Sequence, residues 1–488
     1  MLKGGGLLAA CSGGEQVLRF FRTVIIARVL STEDYGIGAT FTLTTMLLAM
    51  ATDMGFERML VQAKDGDDKK LCATAQTILL LRGLVLGAIL FVAGGWIAKL
   101  FHAERATWAF RCIALLPIFQ GLMHRDVVRF QRALRYGPYV LCTLLPSAVT
   151  LLLAWPVTRV WDNYWALLIL TLVSGLMELA ISHVVGEHRV QFGWDRQLAM
   201  RFVHFGWPLL FNGVLLFGTM QGDRLIVGTA YDLSSLGVYT VAVMMTLTPR
   251  TALIRINSRL MLPVMSQAQS DPKRFADRYE FYTQTLGLFS ALIVVVLIIA
   301  GAPLVGLLFG AKYDGVSAFI GWLAAMQMVR LTRAAQNTSA MALGDTGNPT
   351  WSSAARSLVL IPSAWVAFTV RSPESIVWMP IFGLCGEVLA YWVGTGLLKR
   401  KHGLRMTVSL KSMTLPVGAA LLAGGLSYWE IGSSSPWSLA GTTIGAVGLT
   451  LAVGLVAYPR FRAEMTTLLR RRPVAAPIDM GPMEQEQL

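Results

Sequence analysis

Long apolar segments recur from one end of the chain to the other, and each can cross a bilayer as a helix. Hydropathy places fourteen such segments of about 20 residues or slightly more in the chain. Their approximate limits are 6–30, 36–56, 74–98, 106–124, 138–158, 164–186, 203–228, 236–260, 282–309, 315–333, 350–369, 376–397, 413–430 and 438–458. A count of twelve is the alternative, because polar residues interrupt the first, fourth and seventh segments. The pattern predicts an all-α polytopic membrane protein.

The composition excludes most other classes of protein. Hydrophobic residues make up 55% of the 488 residues and charged residues 14%, whereas soluble proteins carry about 25% charged residues. A large soluble enzyme, a disordered chain and a disulfide-rich secreted scaffold are therefore all excluded. The five cysteines stand singly, without metal-ligand spacing, and we interpret them as small apolar residues. Residues 1–30 do not fit a cleaved signal peptide, because Glu15, Arg19 and Arg22 interrupt its apolar core.

The net charge of +14 is distributed unevenly between the loops. Seven alternate connections, starting after the second segment and including the C-terminal end, carry 29 Lys and Arg residues, whereas the other seven carry five. Cytoplasmic loops are enriched in Lys and Arg, so both termini are predicted to be cytoplasmic and the other loops to be short and extracytoplasmic. The same bias explains the net charge without nucleic acid, and no nucleic-acid partner is expected.

The two halves of the chain contain matching segments at a nearly constant offset. Residues 27–39 resemble residues 228–240 at an offset of 201, and Glu178 and Glu387 lie in matching segments 209 residues apart. The repeat predicts two six-helix lobes related by an axis along the membrane normal. The predicted divisions are a first lobe at 1–187, a linker at 188–202, a second lobe at 203–400, two additional helices at 401–460, and a basic segment with a disordered tail at 461–488.

The first helix carries three charged residues on one face. Glu15, Arg19 and Arg22 have i, i+4, i+7 spacing, so their side chains stack along the helix. Because lipid penalises each charge by a few kcal/mol, this face must point into the bundle or into a wet cavity. Two interpretations are open: a cationic wall for an anionic substrate, or a structural ladder in which Glu15 neutralises Arg19.

Other charged residues inside or at the ends of the segments extend the candidate site. The candidate substrate-binding residues are Arg19, Arg22, Arg28, Arg58, Arg82, Arg224, Arg250 and Arg255. Arg28 also fits a snorkelling residue at a helix end. Topology alone attracts arginine to the cytoplasmic side, where Arg250, Arg255, Arg330 and Arg356 lie.

Four carboxylates inside the segments are candidates for ion coupling, namely Glu178, Glu387, Asp53 and Asp223. Glu178 and Glu387 occupy equivalent positions of the repeat in the middle of their helices. The alternative is that each is the structural partner of an arginine in its own lobe. Asp223 is equally expected to pair with an arginine, either locally or across the lobes.

Motifs of catalysis are missing from the sequence. It contains no Walker loop, no HExxH, no GxSxG between a strand and a helix, and no cluster of metal ligands. We therefore expect no enzyme activity, no cofactor and no metal site. Without an ATPase domain, any transport would be driven by an ion gradient or run downhill.

Several motifs resemble those of a known family. The residues are RFFRTVIIARVLSTEDYG at 19–36, DMGF at 53–56, RFVHFGWP at 201–208, GDRLIVG at 222–228 and LGVY at 236–239. Their order and spacing are similar to those of the bacterial polysaccharide transporter (oligosaccharide flippase) family, within the multidrug/oligosaccharidyl-lipid/polysaccharide exporter superfamily. The resemblance covers residues 10–460.

The resemblance implies a V of two bundles around a cationic cavity in the bacterial inner membrane. It further implies ion-driven movement of undecaprenyl-diphosphate-linked oligosaccharide to the outer leaflet, for export of exopolysaccharide, capsule or O-antigen. Membrane lipids, a polysaccharide polymerase and a chain-length regulator are the other expected partners. Guanidinium groups suit a diphosphate, because they bind its oxygens in pairs and stay charged at low dielectric.

Three other functions are weighed against this one. An organic-cation exporter of the same superfamily would need acidic residues in its cavity. A polymerase or ligase of lipid-linked sugars would need a large extracytoplasmic loop, whereas the loops here have only about five to eight residues. A lipid-scrambling scaffold without a defined substrate is left open by the sequence.

Overall fold

The computed structural model describes residues 2–63, 65, 68–133, 135–370, 372–430 and 436–470. These residues form helices and their connections, and no strand occurs among them. The α-helices are α1 Leu2–Val29, α2 Thr32–Ala51, α3 Phe56–Gln62, α4 Lys69–Leu100, α5 Thr107–Cys112, α6 Leu115–Leu122, α7 Asp126–Arg132, α8 Gly137–Val160, α9 Tyr164–Val185, α10 Arg196–Ala230, α11 Leu233–Gln267, α12 Pro272–Ile299, α13 Gly301–Phe309, α14 Ile320–Ala342, α15 Gly347–Leu358, α16 Leu360–Val370, α17 Trp378–His402, α18 Met406–Glu430, α19 Pro436–Ala457 and α20 Pro459–Arg470.

Every predicted segment is occupied by helix, but several are broken or shifted. In the segment at 36–56 the helix ends at Ala51, and the segment at 106–124 divides at 113–114 into α5 and α6. The segment at 282–309 divides at Ala300 into α12 and α13, and the segment at 350–369 divides at Val359 into α15 and α16. The segment at 315–333 begins later and extends to Ala342 as α14. Arg330 and Arg333, at the end of the predicted segment, therefore lie in the middle of the observed helix.

Eight helical stretches in the described part of the chain are long and apolar enough to cross a membrane. A ninth is added if the stretch 104–122 and α7, which meet at an angle of 51°, are taken as one broken span. The five other helices of the predicted fourteen are α1, α2, α10, α11 and α14, which are 20 to 35 residues long but more polar. The protein is a multi-pass membrane protein, and the exact count of fourteen stays a prediction.

Polar residues begin the long helices at both ends of the bundle. Ser31, Asn163 and Asp232 accept backbone N–H bonds at the starts of α2, α9 and α11. Asp68, Asp195 and Asp271 do the same for α4, α10 and α12. Such caps satisfy N–H groups that have no partner within the helix. We call the end with the first three caps the short-loop end, and the opposite end the basic end.

Helices from the two halves of the chain meet along α2. It packs against α11 near the short-loop end and against α10 further along. At the short-loop end, Arg28 donates to the carbonyl oxygens of Leu307 and Leu308 at 2.8 and 3.3 Å, and the Tyr313 hydroxyl donates to the Ala27 carbonyl at 3.1 Å. These bonds join α1 to the α13 region and close this end of the bundle.

The contact between α2 and α11 is reciprocal. A Cβ atom at Gly36 would overlap the carbonyl oxygen of Leu233, and one at Gly237 would overlap that of Thr32. The Thr32 and Ser234 hydroxyls lie 2.7 Å apart beside these glycines. Small residues allow membrane helices to approach closely. The sequence repeat at an offset of 201 thus corresponds to a pair of equivalent contacts about a local twofold axis.

The last helices pack on the second half of the chain. α18 lies against α12 and α14, and α19 lies against α12 and α18. α20 is held on α12 by ion pairs from Arg460 to Asp277 at 2.6 Å and from Arg278 to Glu464 at 3.0 Å. Of the predicted division at 461–488, residues 461–470 belong to α20, and the predicted disordered tail lies outside the described residues, which end at 470.

Candidate functional site

The charged face of α1 forms as its spacing predicts. Arg19 Nη2 lies 2.7 Å from Glu15 Oε1, and the side chain of Arg19 is 55% exposed. Arg22 Nη1 donates to the Thr150 hydroxyl of α8 at 3.2 Å, while its buried Nε has no hydrogen-bond partner among the described residues. Arg22 is therefore less neutralised than Arg19, whose carboxylate partner lies one turn away on the same helix.

Glu178 on α9 lies in the same region of the first half. Its carboxylate is within electrostatic range of Glu15, Arg19 and Arg22, but the hydrogen bond that it accepts from the Ser174 hydroxyl is long, at 3.4 Å. No ion pair within 4 Å joins it to an arginine of the described residues. A carboxylate held this loosely can change its protonation without breaking a close ion pair.

Glu387 on α17 has a different environment, although the repeat equates it with Glu178. It is fully buried and accepts Arg330 Nε at 2.5 Å and Arg356 Nε at 2.6 Å on Oε1. Arg333 approaches Oε2 at 3.0 Å through Nη2. One carboxylate thus joins three helices, α14, α15 and α17. The sequence analysis considered one arginine of the same lobe as the partner of Glu387, and the structure places three arginines there.

A fourth arginine, Arg250 of α11, extends this group, which we call the arginine cluster: Arg250, Arg330, Arg333 and Arg356. Arg250 Nη1 donates to Gln327 Oε1 at 3.0 Å. The buried Arg250 Nε and Arg330 Nη2 have no hydrogen-bond partner among the described residues. With Glu387 as its one close carboxylate partner in the described ion pairs, the cluster holds an excess of positive charge inside the protein. Such an excess is costly unless an anion compensates it.

Asp223 lies beside Arg356 in a small cavity between α10, α15 and α17. It accepts the Tyr239 hydroxyl at 3.1 Å on Oδ2 and the Arg224 backbone N–H at 2.9 Å on Oδ1. The Arg224 guanidinium turns instead to Gln221 Oε1 at 3.1 Å. The neighbouring Asp223 and Arg224 side chains therefore have different partners.

The α1 face and the arginine cluster are carried by helices that touch. Gln16 Nε2 of α1 donates to the Thr251 hydroxyl of α11 at 2.6 Å, one residue beyond Arg250. The helix with the α1 face thus contacts the helix of Arg250, whereas the other members of the cluster lie on α14 and α15.

The remaining predicted residues lie elsewhere. Arg28 is engaged at the short-loop end, as described above. Arg82 donates to the Thr52 hydroxyl at 2.9 and 3.2 Å and to the Ala49 carbonyl, which ties α4 to the end of α2. Asp53 accepts the Gly55 N–H at 2.8 Å in the turn after α2. The side chains of Arg58 and Arg255 lie outside the described part of the structure.

Three members of the cluster, Arg330, Arg333 and Arg356, are not among the predicted substrate-binding residues. Arg330 and Arg333 belong to α14. They lie with Gln327 and Gln336 on one face of α14, at a regular spacing of three residues. Such a polar stripe within an apolar helix is the sequence signal that indicates an inward-facing site. The described residues contain no group of three or more His, Cys, Asp or Glu side chains arranged to hold a metal ion.

The helix arrangement is similar to that of solved exporters. The inward closed conformation of the lipid II flippase MurJ superposes with a TM-score of 0.69 over 95% of this chain and 100% of that chain, at 17% identity. An inward-facing multidrug resistance MATE family transporter gives 0.62 over 79% and 96%, at 14% identity. The fold is therefore that of the polytopic MATE and MurJ transporters.

The sequence comparisons give the family. Residues 25–318 match the polysaccharide biosynthesis protein family, and the chain belongs to this family. The succinoglycan biosynthesis transport protein ExoT of Rhizobium meliloti (strain 1021) is 22% identical over 470 residues, which cover 94% of each chain. The family resemblance carried by the motifs is confirmed.

Proposed function

We propose that the protein is a flippase that moves a polyprenyl-diphosphate-linked oligosaccharide across the bacterial cytoplasmic membrane during polysaccharide export. The family and the transport protein of succinoglycan biosynthesis support a role in moving saccharides for polymer synthesis. The exporter fold supports transport rather than catalysis. The lipid-linked diphosphate is the part of the proposal that rests on the charges of this chain.

The arginine cluster is the observation that carries the proposal. Three arginines pair with the buried carboxylate of Glu387, and Arg250 joins the cluster through Gln327. Two N–H donor atoms of the cluster, Arg250 Nε and Arg330 Nη2, have no partner among the described residues. A diphosphate supplies several oxygens and the negative charge that such a group lacks. Arg22 on α1 offers a further cation with a buried N–H group that has no described partner.

The sign of the charge disfavours the second candidate, an exporter of organic cations. A cationic drug would meet Arg250, Arg330, Arg333 and Arg356 with one close carboxylate among them. The MATE fold alone allows either substrate, because a fold does not determine what is carried. The excess of arginine therefore selects the anionic substrate.

The sidedness of the charge suggests the working state. We place the basic end and both termini in the cytoplasm, following the loop charges. The bonds from Arg28 and Tyr313 then close the extracytoplasmic end. A transporter that is closed at its extracytoplasmic end can exchange substrate only with the cytoplasmic side. We take residues 1–187 and 203–400 as the two lobes that move against each other.

Glu178 is the better candidate for ion coupling than its repeat partner. Releasing Glu387 for protonation would leave three buried arginines without their carboxylate, at a cost of several kcal/mol. Glu178 has only the 3.4 Å bond from Ser174, so a proton or a cation can bind it at lower cost. Asp223 and Asp53 are each fixed by local hydrogen bonds.

The test uses Arg250, because its removal leaves no carboxylate unpaired. An Arg250→Ala variant is expected to lower polymer export by about tenfold or more in a strain that lacks the native gene, with lipid-linked oligosaccharide accumulating in the inner leaflet. Arg278→Ala, which removes a half-buried ion pair with Glu464 far from the cluster in sequence, is the matched control. Normal export by an Arg22→Ala/Arg250→Ala double variant would show that the substrate does not depend on these cations.

A further inference from the structure

The last carbonyl groups of α1 are bound by side chains from the second half of the chain. A helix has no partners of its own for its last carbonyl groups. The Tyr313 hydroxyl donates to the Ala27 carbonyl at 3.1 Å. The Lys312 ammonium donates to the carbonyl of Arg28 at 3.0 Å and to that of Leu30. The segment that follows α13 thus caps the C-terminal end of α1.

The C-terminal end of α13 is capped in the opposite direction. The carbonyl oxygens of Leu307 and Leu308, in its last turn, accept Arg28 Nη1 of α1 at 2.8 and 3.3 Å. Gly310, with a φ of 99°, ends α13 and turns the chain toward Lys312. Each of these two helices, one from each half of the chain, therefore has its last carbonyl groups capped by a cation of the other half.

The sign of the charge suits both positions. The C-terminal end of a helix carries a partial negative charge, and Lys or Arg side chains there bind the last carbonyl groups and interact favourably with the helix dipole. Hydrogen bonds from charged donors also stabilise a structure more than bonds between neutral groups. Arg28 and Lys312 therefore stabilise the contact between the halves through backbone acceptors.

The two caps are connected through shared residues. Arg28 takes part in both, because its guanidinium caps α13 while its own carbonyl accepts the Lys312 ammonium. On the other side, the short stretch 307–313 supplies the acceptors for Arg28 and also the donors that cap α1. A motion that separates the end of α1 from this stretch therefore breaks both caps together.

The caps lie beside a buried aromatic contact between the halves. Tyr313 is fully buried, and its ring meets that of Tyr35 of α2 edge to face, with centroids 6.4 Å apart and planes at 88°. The ring of Phe309, at the end of α13, lies 5.9 Å from that of Tyr313. Separation of the halves here would expose these rings to water, which adds an apolar cost to the loss of the hydrogen bonds.

We propose that Arg28, Lys312 and Tyr313 form a latch, in which the mutual capping of α1 and α13 holds the short-loop end closed and releases it in a single step. Arg28 and Lys312 act as positioning residues in this latch. The latch does not depend on which substrate is carried, so it stands apart from the proposed function.

A buried reporter cysteine measures the opening. Ala39 of α2 is 9% exposed and lies in a core cluster with residues of both halves. Ala39→Cys is introduced into the full-length protein without its five native cysteines, and the purified protein is placed in lipid nanodiscs. The rate of reaction with a water-soluble maleimide then follows the fraction of protein in which the halves are separated. Ala109→Cys, fully buried on α5, reports unfolding of the first half instead.

The variants Arg28→Met and Lys312→Met keep long side chains but remove the donors. Arg159→Met and Lys99→Met are the matched controls, because they remove the same charges from exposed side chains in the last turns of α8 and α4 at the same end. The rate at Ala39→Cys is expected to rise by about threefold or more in each latch variant, and by about tenfold or more in the double variant. The controls are expected to react at the rate of the parent protein.

The latch is overturned if the Arg28→Met/Lys312→Met double variant reacts at Ala39→Cys no faster than the controls. A faster reaction in only one of the two single variants overturns the mutual capping. An equal rise at Ala109→Cys also overturns the proposal, since the first half would then be unfolding. The measurement needs no substrate, so failure of the flippase function would leave these outcomes unchanged.

Discussion

Gly36 and Gly237, equivalent positions of the sequence repeat, lie against each other where α2 meets α11. A Cβ at Gly36 would be 3.3 Å from the Gly237 nitrogen, and a Cβ at Gly237 would be 3.2 Å from the Gly36 nitrogen. Both would also overlap a carbonyl oxygen of the opposite helix. The two halves can therefore approach this closely at the short-loop end only because both residues are glycines, which have no side chain.

Replacing either glycine with alanine is expected to separate α2 from α11, because overpacking a close contact costs about 1–3 kcal/mol. Spin labels at Glu33 and Ser235 would show a longer distance distribution in Gly36→Ala and Gly237→Ala. Gly396→Ala is the control, because a Cβ there meets no atom within 4 Å. Unchanged distances in both variants would mean that this contact does not hold the end closed.

Glu387→Gln is expected to destabilise the protein by about 3–5 kcal/mol, because three buried arginines lose their carboxylate. Thermal unfolding of the purified protein measures this loss. Glu374→Gln, on the exposed surface before α17, should have the melting temperature of the native protein. The melting temperature of Glu178→Gln should lie between those of Glu387→Gln and Glu374→Gln. If Glu387→Gln melts like Glu374→Gln, the carboxylate does not hold the arginine cluster together.

Arg22→Ala is expected to abolish polymer export while protein level and membrane insertion stay normal, and Arg22→Lys is expected to restore export only in part. Lysine keeps the charge but lacks the planar fork that binds phosphate. Arg19→Ala should be milder, because Glu15 already pairs with Arg19 at 2.7 Å. Thr150→Val is the control, which removes the partner of Arg22 and keeps the cation. Full export by an Arg19/Arg22 double alanine variant contradicts the role of this face.

The segment 186–193, which joins the two halves of the chain, is expected to loosen at acidic pH because it depends on Asp126. Burial raises the pKa of this carboxyl, but the hydrogen bonds from His188 and the nearby histidines outweigh it, and the pKa lies below its ordinary value of 3.8. Because the pKa is lowered in the folded state, the ionised Asp126 stabilises its contact with residues 187 and 188 above about pH 4. This stabilisation is lost as the pH falls through the lowered pKa.

Hydrogen exchange of residues 186–193 measures this loosening. Asp126→Asn is expected to show the fast exchange of the acid form already at neutral pH, because it removes the carboxylate that accepts the Glu187 and His188 N–H groups. Asp195→Asn, at the start of α10, is the control variant for the exchange of residues 186–193. Equal protection of residues 186–193 in Asp126→Asn and the native protein would contradict the prediction.

The topology predicts opposite sides for Glu33 and Lys401. Single cysteines at these positions, in a background without the five native cysteines, should react with an impermeant reagent from outside and from inside, respectively. Both positions are exposed in the structure. Labelling of both from the same side would contradict the fourteen-helix topology.

The sequence predicts the helices well because apolar length is a local property. The limits of α8 and α9 differ from the prediction by at most two residues. The predicted segment at 315–333 ends nine residues before Ala342, the end of α14, because Arg330 and Arg333 lower the average hydropathy there. Tertiary contacts with Glu387 make these arginines acceptable inside the protein, and hydropathy contains no information on such contacts.

The repeat predicts equivalent positions but not equivalent environments. Glu178 and Glu387 match in sequence, yet one has a single long bond and the other binds three arginines. The difference comes from α14 and α15, whose arginines have no counterpart in the motifs compared. A carboxylate in a membrane helix is recognisable from sequence, whereas its counter-ions depend on helix packing.

The reciprocal contact between α2 and α11 has the form of an isologous interface, in which the same surface is used twice about a twofold axis. Residue Thr32 meets Gly237 as Leu233 meets Gly36. A six-helix chain with either segment would present a self-complementary surface and could pair with a second copy of itself. When two such copies are joined in one chain, each half can change independently. The different partners of Glu178 and Glu387 are one result of such divergence.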